Sequence, residues 1–366
     1  LSYWASSEEG NPMQISGSLV GGVWISRFLS DLGNGTFDGA WLVQNFEHLN
    51  PANALWEKYY NLYANIDTER DRFLEFERWW TGFYSLSEEE ITTTVENLFI
   101  GNKLERGELQ LDDGCTINLK DITNPLLIFA SHGDNITPPR QALHWIRQVY
   151  PTTDALKQAG QRIAYMINPN VGHLGIFVSA KVAKLEHRAI LEHVREMENL
   201  KPGLYEMKII NPTGNPDCRH DQYEVRFEER NIEDLCESIP SEPFDVVRRV
   251  SEQNDTLYCW TLRPWVQALA NPISAEMLRV MHPMRLSRTM FSEKVNPFMW
   301  HTAWMAKMVE DHRAEKKPEG ILPAAEQAAS QQIAKALHDM SDVRDQTMHE
   351  LFSQLYGGSY PKQEMK

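Results

Sequence analysis

Residues 124–146 read "NPLLIFASHGDNITPPRQALHWI", and the change of character inside this stretch decides the fold. "LLIFAS" is a short apolar run between Pro125 and Gly133, which reads as a buried strand. "PPRQALHWIRQVY" then reads as a helix, because proline is tolerated in a helix's first turn. The pattern repeats downstream, with "QRIAYMINP" as a strand and "SAKVAKLEHRAILEHVREMEN" as a long helix. Strands alternating with helices predict a parallel α/β sheet over residues 111–200. Two strands leave open hydrogen-bonding edges. The remainder of that sheet is expected from sequence preceding Leu1.

The loops after these strands carry the chemistry. Asp134 lies just past the first strand, and His173 follows the second in "INPNVGHLGIF", flanked by Gly172 and Gly175. Acid then histidine, each on a loop after a strand, is the order of the last two members of an α/β-hydrolase triad. In such a triad the acid holds one imidazole nitrogen, so that the other can take the nucleophile's proton. The competing reading makes Asp134 a cap for the helix near Pro138 and His173 an ordinary loop residue. A nucleophile elbow needs glycines around a serine or cysteine on a tight strand-to-helix turn. Ser16 and Ser18 in "SGSLVGG" and Cys115 in "DDGCTINL" do not fit that pattern. The nucleophile is therefore expected upstream of this chain.

Around this core the chain divides into further segments. Residues 1–24 are rich in small and turn-forming residues and read as a strand end and loop. Residues 25–110 read as a helical cap. There "PANALWEKYYNLYANI" has apolar helical spacing, Ser85 or Ser87 offers an N-cap, and Gly101 a stop. Residues 201–366 read as an extension. It comprises a β-hairpin from "LYEMKII" and "QYEVRFEE", then helices broken at "SIPSEP", "HP" and "KKPEGILP", and a long helix or helix pair over 324–355. "GNGTFDG" reads as a turn, since no phosphate-loop context surrounds it.

Composition removes several function classes. The formal charge of −15 opposes general nucleic-acid binding. "SLVGGVWI" is too short to span a bilayer, and no signal peptide is visible. The widely spaced Cys115, Cys218, Cys236 and Cys259 show no zinc-ligand pairing, and suit reduced thiols in a cytoplasmic protein. His187 and His193 lie six apart on a helix, hence on different faces, so no metal site is expected. Arg279, Arg285 and Arg288 offer a solvated face, or a dock for an acidic partner or for coenzyme A phosphates.

The wording "FEHLNPANALWEKYYNLY", "FERWW", "VENLFIGNKLERGELQL", "INLKDITNPLLIFASHGDNITPP" and "GHLGIF" resembles the poly(3-hydroxyalkanoate) synthases. More closely, nearly the whole chain resembles a poorly characterised synthase-like subgroup with a C-terminal extension. The resemblance implies an α/β-hydrolase fold with a Cys-Asp-His triad, in which Asp134 is the acid and His173 the base. It implies that 25–110 is the cap, where Trp79, Trp80, Tyr59 and Tyr60 line an acyl channel or simply pack. It also implies acyl transfer or hydrolysis on a (hydroxy)acyl thioester or ester, with acyl-CoA as a substrate rather than a resident cofactor. The alternative is a non-catalytic, self-assembling scaffold, and a homo-oligomer is expected on either reading.

Overall fold

The computed structural model describes residues 11–357, apart from 112, 135, 174, 179–183, 216–218, 220–221, 236–241, 311 and 313–319. Its strands, in chain order, are β1 (Thr36–Phe37), β2 (Leu86–Ser87), β3 (Leu126–Ser131), β4 (Arg162–Asn168), β5 (Gly203–Ile210) and β6 (Glu224–Arg230). The first two form a small antiparallel ladder. The others form one mixed sheet in the order β3-β4-β5-β6, with the first three parallel and β6 antiparallel to β5.

The chain folds as two compact units. Among the described residues the first takes 11–22, 93–250 and 352–357, and holds the four-stranded sheet. Neighbouring residues of a strand point to opposite faces, and both faces of β4 are apolar. On one face Ile163 and Tyr165 meet Leu143, Ile146 and Val149 of the Pro139–Val149 helix. On the other, Met166 meets Leu185 and Ala189 of the Lys184–Glu198 helix. Helices on both faces are what a parallel sheet with helical crossovers requires. Ile146 is fully buried, so truncating it to alanine costs about 2–5 kcal/mol.

The second unit takes residues 23–92 and 251–351 and is almost wholly helical. A charge network ties its two chain segments together. Arg27 binds Asp255 at 2.7 Å and Glu88 at 2.6 Å, and Glu88 also accepts from Arg263 at 2.7 Å. Asp31, whose side chain is 2% exposed, accepts from the Tyr258 hydroxyl at 2.9 Å and the Gln267 amide at 2.8 Å. Arg263 Nε lies 3.1 Å from Asp31 as an ion pair, without hydrogen-bond alignment. Burial, helped by the Asp31 carboxylate, pushes the Tyr258 phenol well above its ordinary range.

Several expectations change on this frame. The loop expected over 1–24 contains a helix, Pro12–Leu19, whose N-terminal N–H of Met13 is accepted by the Asn11 side chain. Residues 1–10 lie outside the described region. The expected hairpin forms, but β5 also pairs in parallel with β4, Ile163 facing Leu204. Residues 203–230 therefore belong to the sheet rather than to a separate extension. Residues 25–92 of the cap segment and residues 251–351 of the extension share one unit, whereas 93–110 fall in the other. Ser87 is the N-cap of the Glu88–Thr94 helix, in a reciprocal arrangement in which Ser87 N–H donates to Glu90 at 2.7 Å. The C-terminal helix is single, Ile321–Tyr356. Among the described residues no helix is long and apolar enough to cross a membrane.

Candidate active site

The β3 and β4 strands end side by side, with Ser131 opposite Asn168, and the loops that follow lock onto each other. The Asn168 carbonyl accepts from His132 N–H at 2.9 Å and from the Ser131 hydroxyl at 3.0 Å. The Asn168 side chain turns its own loop, accepting from Asn170 and Val171 N–H at 2.8 and 2.9 Å. Gly133 sits where the loops touch. A Cβ there would lie 2.6 Å from the Asn170 carbonyl and 2.9 Å from the Val171 oxygen, so only glycine allows the approach.

This closeness brings the two sequence-predicted residues together. Asp134 Oδ2 lies 2.9 Å from His173 Nδ1. Asp134 Oδ1 accepts from Ile136 and Thr137 N–H at 2.8 and 2.9 Å. The aspartate therefore steadies its own loop and orients the histidine at once. It does not cap the following helix, whose N-terminal residue Pro138 has no side-chain cap. Burial acts to raise the Asp134 pKa, but the hydrogen bonds from His173, Thr137 and Ile136 and the His173 charge outweigh it, holding the carboxyl below its usual range. An ionised carboxylate only accepts, so Nδ1 donates, and in the neutral imidazole Nε2 carries the free lone pair. The side chains are 32% exposed for His173 and 13% for Asp134. The base can thus be reached from outside while its orienting acid is shielded.

Asn11 is a residue that sequence reasoning passed over. Besides capping its helix, it donates from Nδ2 to the Ile136 carbonyl at 3.2 Å and so buttresses the acid's loop. The signal was present as an Asn-Pro pair, an N-cap followed by a proline at the first helical position.

Among the described residues no hydroxyl or thiol hydrogen-bonds to His173. Ser16 and Ser18 donate to the Met13 and Gln14 carbonyls within their own helix. Cys115 sits in a tight exposed hairpin, where its N–H donates to Asp113 at 3.0 Å. Ser131 is buried and spent on the loop contact. Cys218 and Cys236 lie outside the described residues.

The candidate channel residues belong to the second unit, whereas Asp134 and His173 belong to the first. There Trp79 and Trp80 pack at 5.8 Å between ring centres, and Phe76 stacks on Trp80 at 5.9 Å. Tyr59 lies against Phe73, and Tyr60 stacks on Trp56. Trp80 Nε1 donates to Glu47 at 2.7 Å. The three arginines considered as phosphate contacts are matched by acids of their own unit: Arg279 with Glu276, Arg285 with Asp38, and Arg288 with Glu77. His187 reaches the Ile176 carbonyl and His193 the Ala189 carbonyl. Among the described residues no cluster of three or more metal-ligating side chains forms.

The chain is 41% identical over 366 residues to a Rhizobium meliloti protein described as an uncharacterized protein in the ackA 5′ region, covering 98% of this chain and 50% of that protein. It is 25% identical over 149 residues to the poly(3-hydroxyalkanoate) polymerase subunit PhaC of Haloferax mediterranei, covering 40% of this chain and 28% of that protein. The chain thus spans half or less of the curated relatives it matches. No solved structure matches it. A family model matches residues 1–364, and the chain belongs to that family, described as Protein of unknown function (DUF3141).

Proposed function

We propose that this chain carries the acid and base of an α/β-hydrolase-type acyltransferase or hydrolase acting on (hydroxy)acyl thioesters or esters. The observation that carries the reading is the 2.9 Å contact between Asp134 Oδ2 and His173 Nδ1, made across loops that follow neighbouring parallel strands. The partial similarity to a PhaC subunit supports the same reading. Asp134 fixes the Nδ1–H tautomer and stabilises the imidazolium that forms when Nε2 takes a proton. The nucleophile, a cysteine or serine, is assigned to sequence upstream of Leu1, together with the oxyanion-hole amide that follows it. It attacks the acyl carbonyl, releasing the thiol or alcohol, and an acceptor activated by His173 then takes the acyl group. Water as acceptor gives hydrolysis; a substrate hydroxyl gives chain growth. The aromatic cluster around Trp79, Trp80, Tyr59 and Tyr60 is proposed to receive the acyl chain.

The test is acyl-thioester turnover by the longer protein that includes the upstream segment. Asp134→Asn should lower kcat by about 10³–10⁴-fold while the circular dichroism spectrum is unchanged. Turnover equal to wild type would remove Asp134 from the mechanism. A second reading, a non-catalytic assembly protein, draws on the exposed apolar helices of the second unit. A complete gene product without a nucleophile would favour it.

A further inference from the structure

His173 stands on a short loop whose two ends are both held by one helix. The loop leaves β4 at Asn168 and closes into the short Gly175–Val178 helix, with Gly175 N–H donating to the Gly172 carbonyl at 2.8 Å. At the loop's entry Glu186, in the first turn of the Lys184–Glu198 helix, accepts from Asn168 Nδ2 at 2.5 Å. At its exit the neighbouring His187 donates from Nε2 to the Ile176 carbonyl, since a carbonyl only accepts. Between these contacts Ile190, one turn further along the same helix face, packs against the buried Val171 and Ile176. The helix itself is fixed to the sheet, because Leu185 and Ala189 pack on Met166.

We propose that Glu186 and His187 are positioning residues, which clamp the His173 loop by its two ends and so set where the imidazole stands against Asp134. This rests on the catalytic role proposed above for His173. Glu186 is the stronger lever, because it decides which way the Asn168 amide faces. An ionised carboxylate only accepts, so it takes the amide nitrogen and leaves Oδ1 to the N–H groups of Asn170 and Val171. A reversed amide would set its oxygen against the carboxylate and its nitrogen against two donors. All three hydrogen bonds would be lost together. A charge on the helix is thereby turned into a fixed backbone path for the residues that lead to His173.

Two readouts on the longer protein that includes the upstream segment test this: amide hydrogen exchange across 169–176, and acyl-thioester turnover. Glu186→Ala and His187→Ala should each speed exchange at Val171 and Gly175 about tenfold, with Ile163–Met166 of β4 unchanged. Each should lower kcat at least about tenfold and leave KM within about threefold of wild type. Glu186→Gln keeps an acceptor oxygen and should hold kcat within about threefold of wild type. Asn168→Asp sets a second carboxylate against Glu186 and should fall as far as Glu186→Ala. Adding Glu186→Gln to it supplies an amide donor and should return kcat to within about threefold of wild type. Unchanged exchange in both alanine variants overturns the clamp. Faster exchange with unchanged kcat overturns the positioning role, as does a double variant no better than Asn168→Asp. A wild type without turnover overturns the reaction proposed above and the positioning role with it; the exchange result separates that failure from failure of the clamp.

Discussion

Asp134 does two jobs with its two oxygens, and this ties the chemistry of the site to its stability. One oxygen holds the loop through Ile136 and Thr137, and the other holds His173. Its folded pKa lies below the ordinary value, so between the two values the unfolded chain binds more protons than the folded one. The contribution to stability is present above the ordinary carboxylate pKa of about 4 and is lost as pH falls through the lower folded value. Urea unfolding of wild type and Asp134→Asn should therefore differ most near neutral pH, and the gap should close in acid. A gap that stays constant with pH would mean that the carboxylate is not held by these partners. The pair itself was legible in the sequence because each member follows a strand within a few residues, a local signal. Asn11 was not, because its contact with the Ile136 carbonyl spans 125 positions, and no local pattern reports it.

At the scale of elements, the site depends on how closely two loops approach. Gly133 is in contact with the Asn170 and Val171 backbone, and backbone atoms cannot swing aside as a flexible side chain does. Gly133→Ala should push the loops apart, destabilising the chain by about 2 kcal/mol. Because a displacement of about 1 Å at a reacting group can cost about 10²-fold, turnover by the longer protein should fall well beyond what the stability loss explains. Urea titration and steady-state kinetics together check this. A variant with normal turnover would show that the loops need not touch. The strands β3 and β4 and their helices could be read from apolar runs and turn residues. The parallel pairing of β5 with β4 could not. "GLYEM" reads as half of a hairpin by its alternation, yet the successive residues Leu204 and Tyr205 are both buried, because Leu204 packs into a cluster on one face of the sheet and Tyr205 into a cluster on the other. Neighbours decide that burial, and neighbours are not in the local pattern.

At the scale of the molecule, the second compact unit draws on residues from both the helical cap segment and the C-terminal extension. The second unit needs residues 23–92 and 251–351 together, and the strongest joint between them is ionic. Glu88 bridges Arg27 and Arg263, Arg27 reaches Asp255, and buried Asp31 is satisfied by Tyr258 and Gln267. Removing the partners of a buried charge costs about 3–5 kcal/mol, and a cut after Val250 removes Asp255, Tyr258, Arg263 and Gln267 at once. That loss is a large fraction of what holds an average domain folded. A chain ending at residue 250 should therefore keep its four-stranded sheet but lose order in 23–92. Limited proteolysis would then cut first within 23–92 and leave a resistant fragment from about residue 93 onward. Equal protection of both regions in the shortened chain would mean that 23–92 folds without residues 251–351. The outcome turns on charges more than 160 residues apart that meet only after folding, which is why no reading of the segments one by one could anticipate it.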